Sequence, residues 1–165
     1  MRILIVDDEA SIVELLSSVC VRDDHDVASC TSSTEALDYL ARNRVDLLIT
    51  DIAMGPPDGL QLIREAREMQ PSLLAIAITG YAGRYGLEEV LASGASDLMF
   101  KPFRMDELRA RVALADERRR MVENLTARRQ MLQQMSTDMI KGLEQELQEA
   151  RHPGQVGIRH STAKH

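Results

Sequence analysis

A chain of 165 residues, 44% of them hydrophobic, is long enough for one core-forming domain plus an extension. Only 3% are aromatic, so that core has to be aliphatic and methionine-rich, and the formal charge of −6 argues against general nucleic-acid affinity, which leans on a basic surface. No run approaches the roughly 20 apolar residues of a membrane span, and the N-terminal apolar run is too short for a secretion signal, so a cytoplasmic protein is expected.

From Arg2 to about Ala115 strand-like and helix-like segments alternate. Ile3-Leu4-Ile5-Val6 reads as a strand near 2–6 and ends in Asp7-Asp8. Ile12, Leu15, Leu16 and Val19 then share one helical face. After the polar turn containing His25, a second strand lies near 26–30, and Ala36, Leu37 and Leu40 mark a helix that Ser33 or Thr34 can cap. A third strand near 46–50 runs into Asp51. Asp58-Gly59 introduces the next helix, with Leu60, Ile63, Ala66 and Met69 inward and Pro71 after its end. A fourth strand near 74–78 ends at Thr79. Val90 and Leu91 lie on a helix stopped by Gly94, and a fifth strand, 97–100, leads to Lys101-Pro102. The strands before Asp7, Asp51, Thr79 and Lys101 are short aliphatic runs of the kind buried on both faces. The alternation implies an α/β domain: a five-stranded, doubly wound parallel sheet with helices on both faces and right-handed crossovers. Cys20 and Cys30 have no metal or redox spacing and read as buried, reduced thiols.

Composition changes after Lys101-Pro102-Phe103. From Met105 to about Ala150 there is no proline and a single glycine, Gly142, so one continuous helix is expected, about 70 Å long at 1.5 Å per residue. Leu114, Met121, Leu125, Leu132, Met135 and Met139 follow steps near a heptad seam, interrupted at Arg118, Arg128 and Gly142. The organisation read from this is a domain over 1–118, a helical, coiled-coil-like extension over 119–150 and a disordered tail over 151–165. The arginine runs Arg118-Arg119-Arg120 and Arg128-Arg129 are interleaved with acids and read as a solvated helix face, not a nucleic-acid surface.

In an open parallel sheet, chemistry collects at the carboxyl ends of the strands. Asp7, Asp8, Asp51, Thr79 and Lys101 all stand at such ends, which makes them one candidate site. Adjacent carboxylates repel unless a cation intervenes, and a hard oxygen-rich site suits Mg²⁺. A carboxylate beside a metal, a lysine and a threonine has the chemistry to take a phosphoryl group as an aspartyl-phosphate.

These motifs, in this order and spacing, resemble the receiver domain of two-component response regulators over roughly residues 1–118. The resemblance implies a flavodoxin-like sheet of order 2-1-3-4-5 and a cytoplasmic phosphorelay protein that is not an enzyme in the usual sense. Asp51 becomes the phosphoacceptor, fed by a sensor histidine kinase. Asp7, Asp8, Asp51 and the Ala53 carbonyl become the ligands of Mg²⁺ (or Mn²⁺), Thr79 the switch hydroxyl, and Lys101 the conserved-type lysine before a cis Pro102. Leu98 departs from the family by replacing the usual aromatic switch partner, for which Tyr81 or Phe100 are the nearby substitutes. Gly55-Pro56-Pro57 shifts the loop proline by one position. Ala53 and Tyr81 at the water-access positions imply slow self-dephosphorylation. With no effector motif after the domain, output is expected through the last helix, as homodimerisation or docking to a partner, with neither nucleic acid nor membrane. Two other classes compete: a phosphorylation-independent adaptor on the same fold, and a haloacid-dehalogenase-type phosphohydrolase, which would want Asp-x-Asp after the first strand where this chain has Asp7-Asp8-Glu9.

Overall fold

The computed structural model describes residues 1–80 and 86–151. Five strands and five helices alternate: β1 (Arg2–Val6), α1 (Ala10–Arg22), β2 (Asp26–Cys30), α2 (Ser33–Leu40), β3 (Leu47–Asp51), α3 (Gly59–Met69), β4 (Leu74–Thr79), α4 (Leu87–Ala92), β5 (Asp97–Phe100) and α5 (Met105–Arg151). The strands form one parallel sheet in the order β2-β1-β3-β4-β5. This is the doubly wound sheet expected from the sequence. The chain divides into two compact units, Met1–Arg120 and Met121–His165.

Side chains alternate across a strand, so each strand feeds two cores. Leu4, Val6, Leu48, Ala75 and Ala77 point to one face, where Leu60, Ile63 and Ala66 of α3 cover them. Ile3, Ile5, Leu47, Ile49, Ile76 and Ile78 point to the other, against Leu16 and Val19 of α1 and Leu108 and Val112 of α5. Most are fully buried, and each such leucine or isoleucine contributes roughly 1.5–3 kcal/mol. The register brings Val6 level with Thr50, Asp51 with Ile78 and Thr79 with Phe100. The carboxyl ends of β1, β3, β4 and β5 therefore meet at one edge.

Several local expectations need correction. Ser32, not Ser33 or Thr34, caps α2: its Oγ accepts from the Glu35 amide, and the Glu35 carboxylate accepts from the Thr31 amide. Leu15, Met69 and Leu91 are exposed, while Val13, Cys20 and Leu62 take the buried positions. Spacings of three and four fit two neighbouring stripes of a helix, so the pattern fixes the inward face only to within one residue, about 100° of arc. β5 is not buried on both faces; only Met99 is fully buried and Phe100 is half exposed. It is an edge strand. Cys20 is buried and its thiol is pushed up to about 11 by burial and by Asp23, while Cys30 is only partly buried. Both are free. The expected disordered tail lies, from His152 onward, outside the described residues; Arg151 is still helical.

Gln70, just past α3, fastens the turn before β3. Its amide donates to the carbonyls of Leu40 and Asn43 at 2.9 and 2.8 Å, and its oxygen accepts from the Val45 amide at 2.9 Å. Gly94, with φ of 87°, turns the chain after α4 in the left-handed region that glycine adopts without a steric penalty.

Candidate functional site

Asp7 and Asp51 are placed by the ends of β1 and β3, the two central strands that carry the site, and their side chains are 1% and 6% exposed as residues. Burying two carboxylates side by side is costly unless a cation shares them. Lys101, one residue past β5, reaches back between them, its Nζ 2.9 Å from Asp7 Oδ2 and 2.9 Å from Asp51 Oδ2. Each acid also holds its second oxygen to a backbone amide two residues on. Asp7 Oδ1 accepts from Glu9 at 2.9 Å and Asp51 Oδ1 from Ala53 at 3.0 Å. These bonds fix both carboxylates before any ligand arrives.

Electrostatics reflect the crowding. Burial pushes the Asp7 carboxyl above its ordinary value, against the pull of Lys101 and the Glu9 amide. Burial pulls the Lys101 ammonium down, but its hydrogen bonds to Asp7 and Asp51 outweigh this and leave it above its usual value. Lys101 is thus held charged.

Asp8 is exposed, and one carboxylate oxygen from each of Asp7, Asp8 and Asp51 lies within 4.8 Å of the others. Three hard oxygen donors, two buried and one open to water, fit a small divalent cation that keeps part of its hydration. Thr79 is buried at the end of β4, and its carbonyl accepts from the Lys101 amide at 2.7 Å, so the two ends are tied through backbone. The Lys101-Pro102 peptide is cis, as is Pro56-Pro57. The structure therefore brings Asp7, Asp8, Asp51, Ala53, Thr79, Lys101 and Pro102 to one edge of the sheet. Leu98 does not join them; it is partly buried on β5 and packs against the core cluster on one face of the sheet. Phe100 is half exposed, and Tyr81 lies outside the described residues. The expected seam residues lie on α5.

Two contributors were missed in the sequence. Glu9 places a carboxylate oxygen 3.8 Å from Lys101 Nζ, and the signal was present in the unbroken Asp7-Asp8-Glu9 triplet. Gly59 is the other. A Cβ there would sit 2.0 Å from the Asp51 carbonyl oxygen and 2.8 Å from the Ile52 Cα, so α3 can start this close behind Asp51 only with glycine. The Asp58-Gly59 pair shows a helix start in sequence; Asp58 indeed caps α3 through the Gln61 amide, but the close approach is a tertiary fact.

The chain is similar in sequence and fold to known proteins. The response regulator receiver domain matches residues 3–113. The virulence transcriptional regulatory protein PhoP of Salmonella typhimurium is 36% identical over 112 residues, which cover 68% of this chain and 50% of that protein. The chain spans about half the length of the curated relatives it first matches. Among solved structures, the CheY-like receiver domain protein from Methanospirillum hungatei JF-1 superposes with a TM-score of 0.68 at 25% identity, over 73% of this chain and 96% of the other. A receiver domain protein from Clostridium thermocellum gives 0.68 at 27% identity, over 73% and 98%.

Proposed function

The chain belongs to the response regulator receiver family, whose members are phosphoacceptor switches, and from that premise we propose that Asp51 is the acceptor. The observation that carries this reading is the shared Lys101 ammonium, 2.9 Å from both Asp7 and Asp51, beside an exposed third acid. Asp51 is the acid with a neighbour for each role. An oxygen of its carboxylate forms the new bond to phosphorus as the bond to the ring nitrogen of a sensor kinase's phosphohistidine breaks and the imidazole leaves. Lys101 then turns from carboxylate to phosphoryl oxygen, and the Thr79 hydroxyl donates to a second oxygen. Asp7, Asp8, Asp51 and the Ala53 carbonyl would hold Mg²⁺ or Mn²⁺, which when bound supplies neutralising charge to the phosphoryl oxygens.

Switching is a population shift. Contacts made to the phosphoryl group only in the active state have to outweigh the resting bias, ~5.5 kcal/mol for a swing from 1:99 to 99:1. Output runs through α5, as dimerisation or docking to a partner protein. No described helix is long and apolar enough to cross a membrane. Ala53 offers no side chain to orient hydrolytic water, which supports a long-lived phosphoryl group.

The test is incubation with acetyl phosphate and Mg²⁺, followed by intact mass. The wild type is expected to gain one phosphoryl group, Asp51→Asn none, and Asp8→Ala far more slowly at the same Mg²⁺. An equal gain by Asp51→Asn would move the acceptor elsewhere. One observation favours a second reading, a phosphorylation-independent adaptor: Leu98 fills the switch position with a core-packed aliphatic side chain. In that case Asp51→Asn would leave the signalling phenotype intact.

A further inference from the structure

We propose that the helix of the second unit, from Met121 to Arg151, pairs antiparallel with the same helix of a second copy of this chain. This gives the α5 output of the proposed function a specific partner, and rests on that part of the reading alone. Every residue from Met121 to Arg151 is exposed, including Met121, Leu125, Leu132, Met139, Leu143 and Leu147. A helix in water draws most of its stability from packing an apolar face, and among the described residues nothing of its own unit covers this one.

From Met121 onward the stripe also fits an eleven-residue spacing. Met121, Leu132 and Leu143 recur eleven residues apart, and so do Leu125, Ser136 and Leu147. That is about 3.67 residues per turn, close to the 3.6 of a straight helix, so the stripe stays on one side without a left-handed supercoil. Arg128 and Gly142, which interrupt a heptad, then fall roughly 60° and 100° to one side of Leu125, at or beyond the edge of the stripe.

Charge selects the partner and its direction. Arg128 and Arg129 flank the stripe in the first half; Glu144 and Glu146 flank it in the second. Among the described residues none of the four forms an ion pair within its own chain. Arg128 and Glu146 stand eighteen residues apart, about five whole turns, and so lie on the same flank. Arg129 and Glu144 lie on the other. A two-fold axis near Thr137 therefore sets Arg128 against Glu146 of the second copy, and Arg129 against Glu144, on opposite flanks. The same axis brings Leu132 beside Leu143, and Leu125 beside Leu147, of the second copy. Parallel pairing in register would instead oppose arginines to arginines and glutamates to glutamates. The helix is complementary to its own reverse, which is the condition for a closed two-fold dimer.

The experiment is sedimentation velocity on the full chain, without and with beryllofluoride plus Mg²⁺. Wild type is expected to form a dimer in at least one state. Arg128→Glu with Arg129→Glu, and separately Glu144→Lys with Glu146→Lys, should each weaken it by about tenfold or more, and the variant carrying all four changes should regain it. Far-UV circular dichroism of the first unit's melting serves as the folding control. A wild type that is monomeric in both states overturns the proposal. So do charge-reversed variants that associate like wild type, or a fourfold variant that stays dissociated. Acetyl phosphate labelling separates this from the acceptor reading: failure of all variants to gain mass while the dimer pattern holds sinks the acceptor and leaves the pairing standing.

Discussion

Lys101 is the residue on which the candidate site turns, because it lets two carboxylates be buried within reach of one another. Its role was legible in sequence because Lys-Pro directly follows a predicted strand, as Asp51 and Asp7 do. Gly59 was not, since nothing local distinguishes a glycine that opens a helix from one pressed against a neighbouring carbonyl. Gly59→Ala is expected to cost about 3 kcal/mol or more, because the atom it would strike is backbone and cannot swing aside. Gly55→Ala, with nothing within 4 Å, should stay within about 0.5 kcal/mol. Urea denaturation followed by circular dichroism measures both, and equal stabilities would refute the steric account.

At the scale of elements, helix and strand identities followed from periodicity, and errors appeared where packing chooses between equivalent faces. Leu15 and Leu91 looked inward by spacing yet are exposed; Val13, which the spacing passed over, is buried, and so is Val90, which it included. Caps were off by one at α2 because Ser32, Ser33 and Thr34 are all capable, and only the backbone angles of Ser32 suit the role. The part of α5 within the first unit carries a testable electrostatic element. Asp116 is bridged by Arg119 and Arg120 at 2.9 and 2.8 Å. Burial raises its carboxyl, but the two arginines outweigh this and hold it below the ordinary 3.8. A carboxyl depressed in the folded state stabilises fully above its unfolded value, and the contribution is lost as pH falls through the folded value. Asp116→Asn is therefore expected to cost about 0.5–1 kcal/mol at neutral pH, and to match wild type in strong acid. Thermal melts at the two pH extremes check this. A difference that persists in acid would assign the effect to packing.

At the scale of the molecule, the core lies within Met1–Arg120, and every described residue from Met121 to Arg151 is exposed. In the sequence the composition changes earlier, after Lys101-Pro102-Phe103, and it does not say what covers the exposed stripe, because a heptad and an eleven-residue repeat share most of their apolar positions over two or three turns. Melting by far-UV circular dichroism should show one transition that is independent of concentration and one, from the second unit's helix, that rises between about 1 and 100 μM protein. A single transition that ignores concentration would count against self-association.

The contact between Gly59 and the Asp51 carbonyl also decides where the pocket can give. Behind Asp51 the wall is backbone on backbone, sealed by the Gly59 amide on the Ile52 carbonyl, and close-packed chain transmits load without yielding. In front, the wall is an edge strand of four residues with one fully buried side chain and a lysine on a flexible stem. The packing is tightest where α3 meets Asp51 and loosest at β5, so a change at Asp51 is expected to be taken up at the β5 side before it reaches α3.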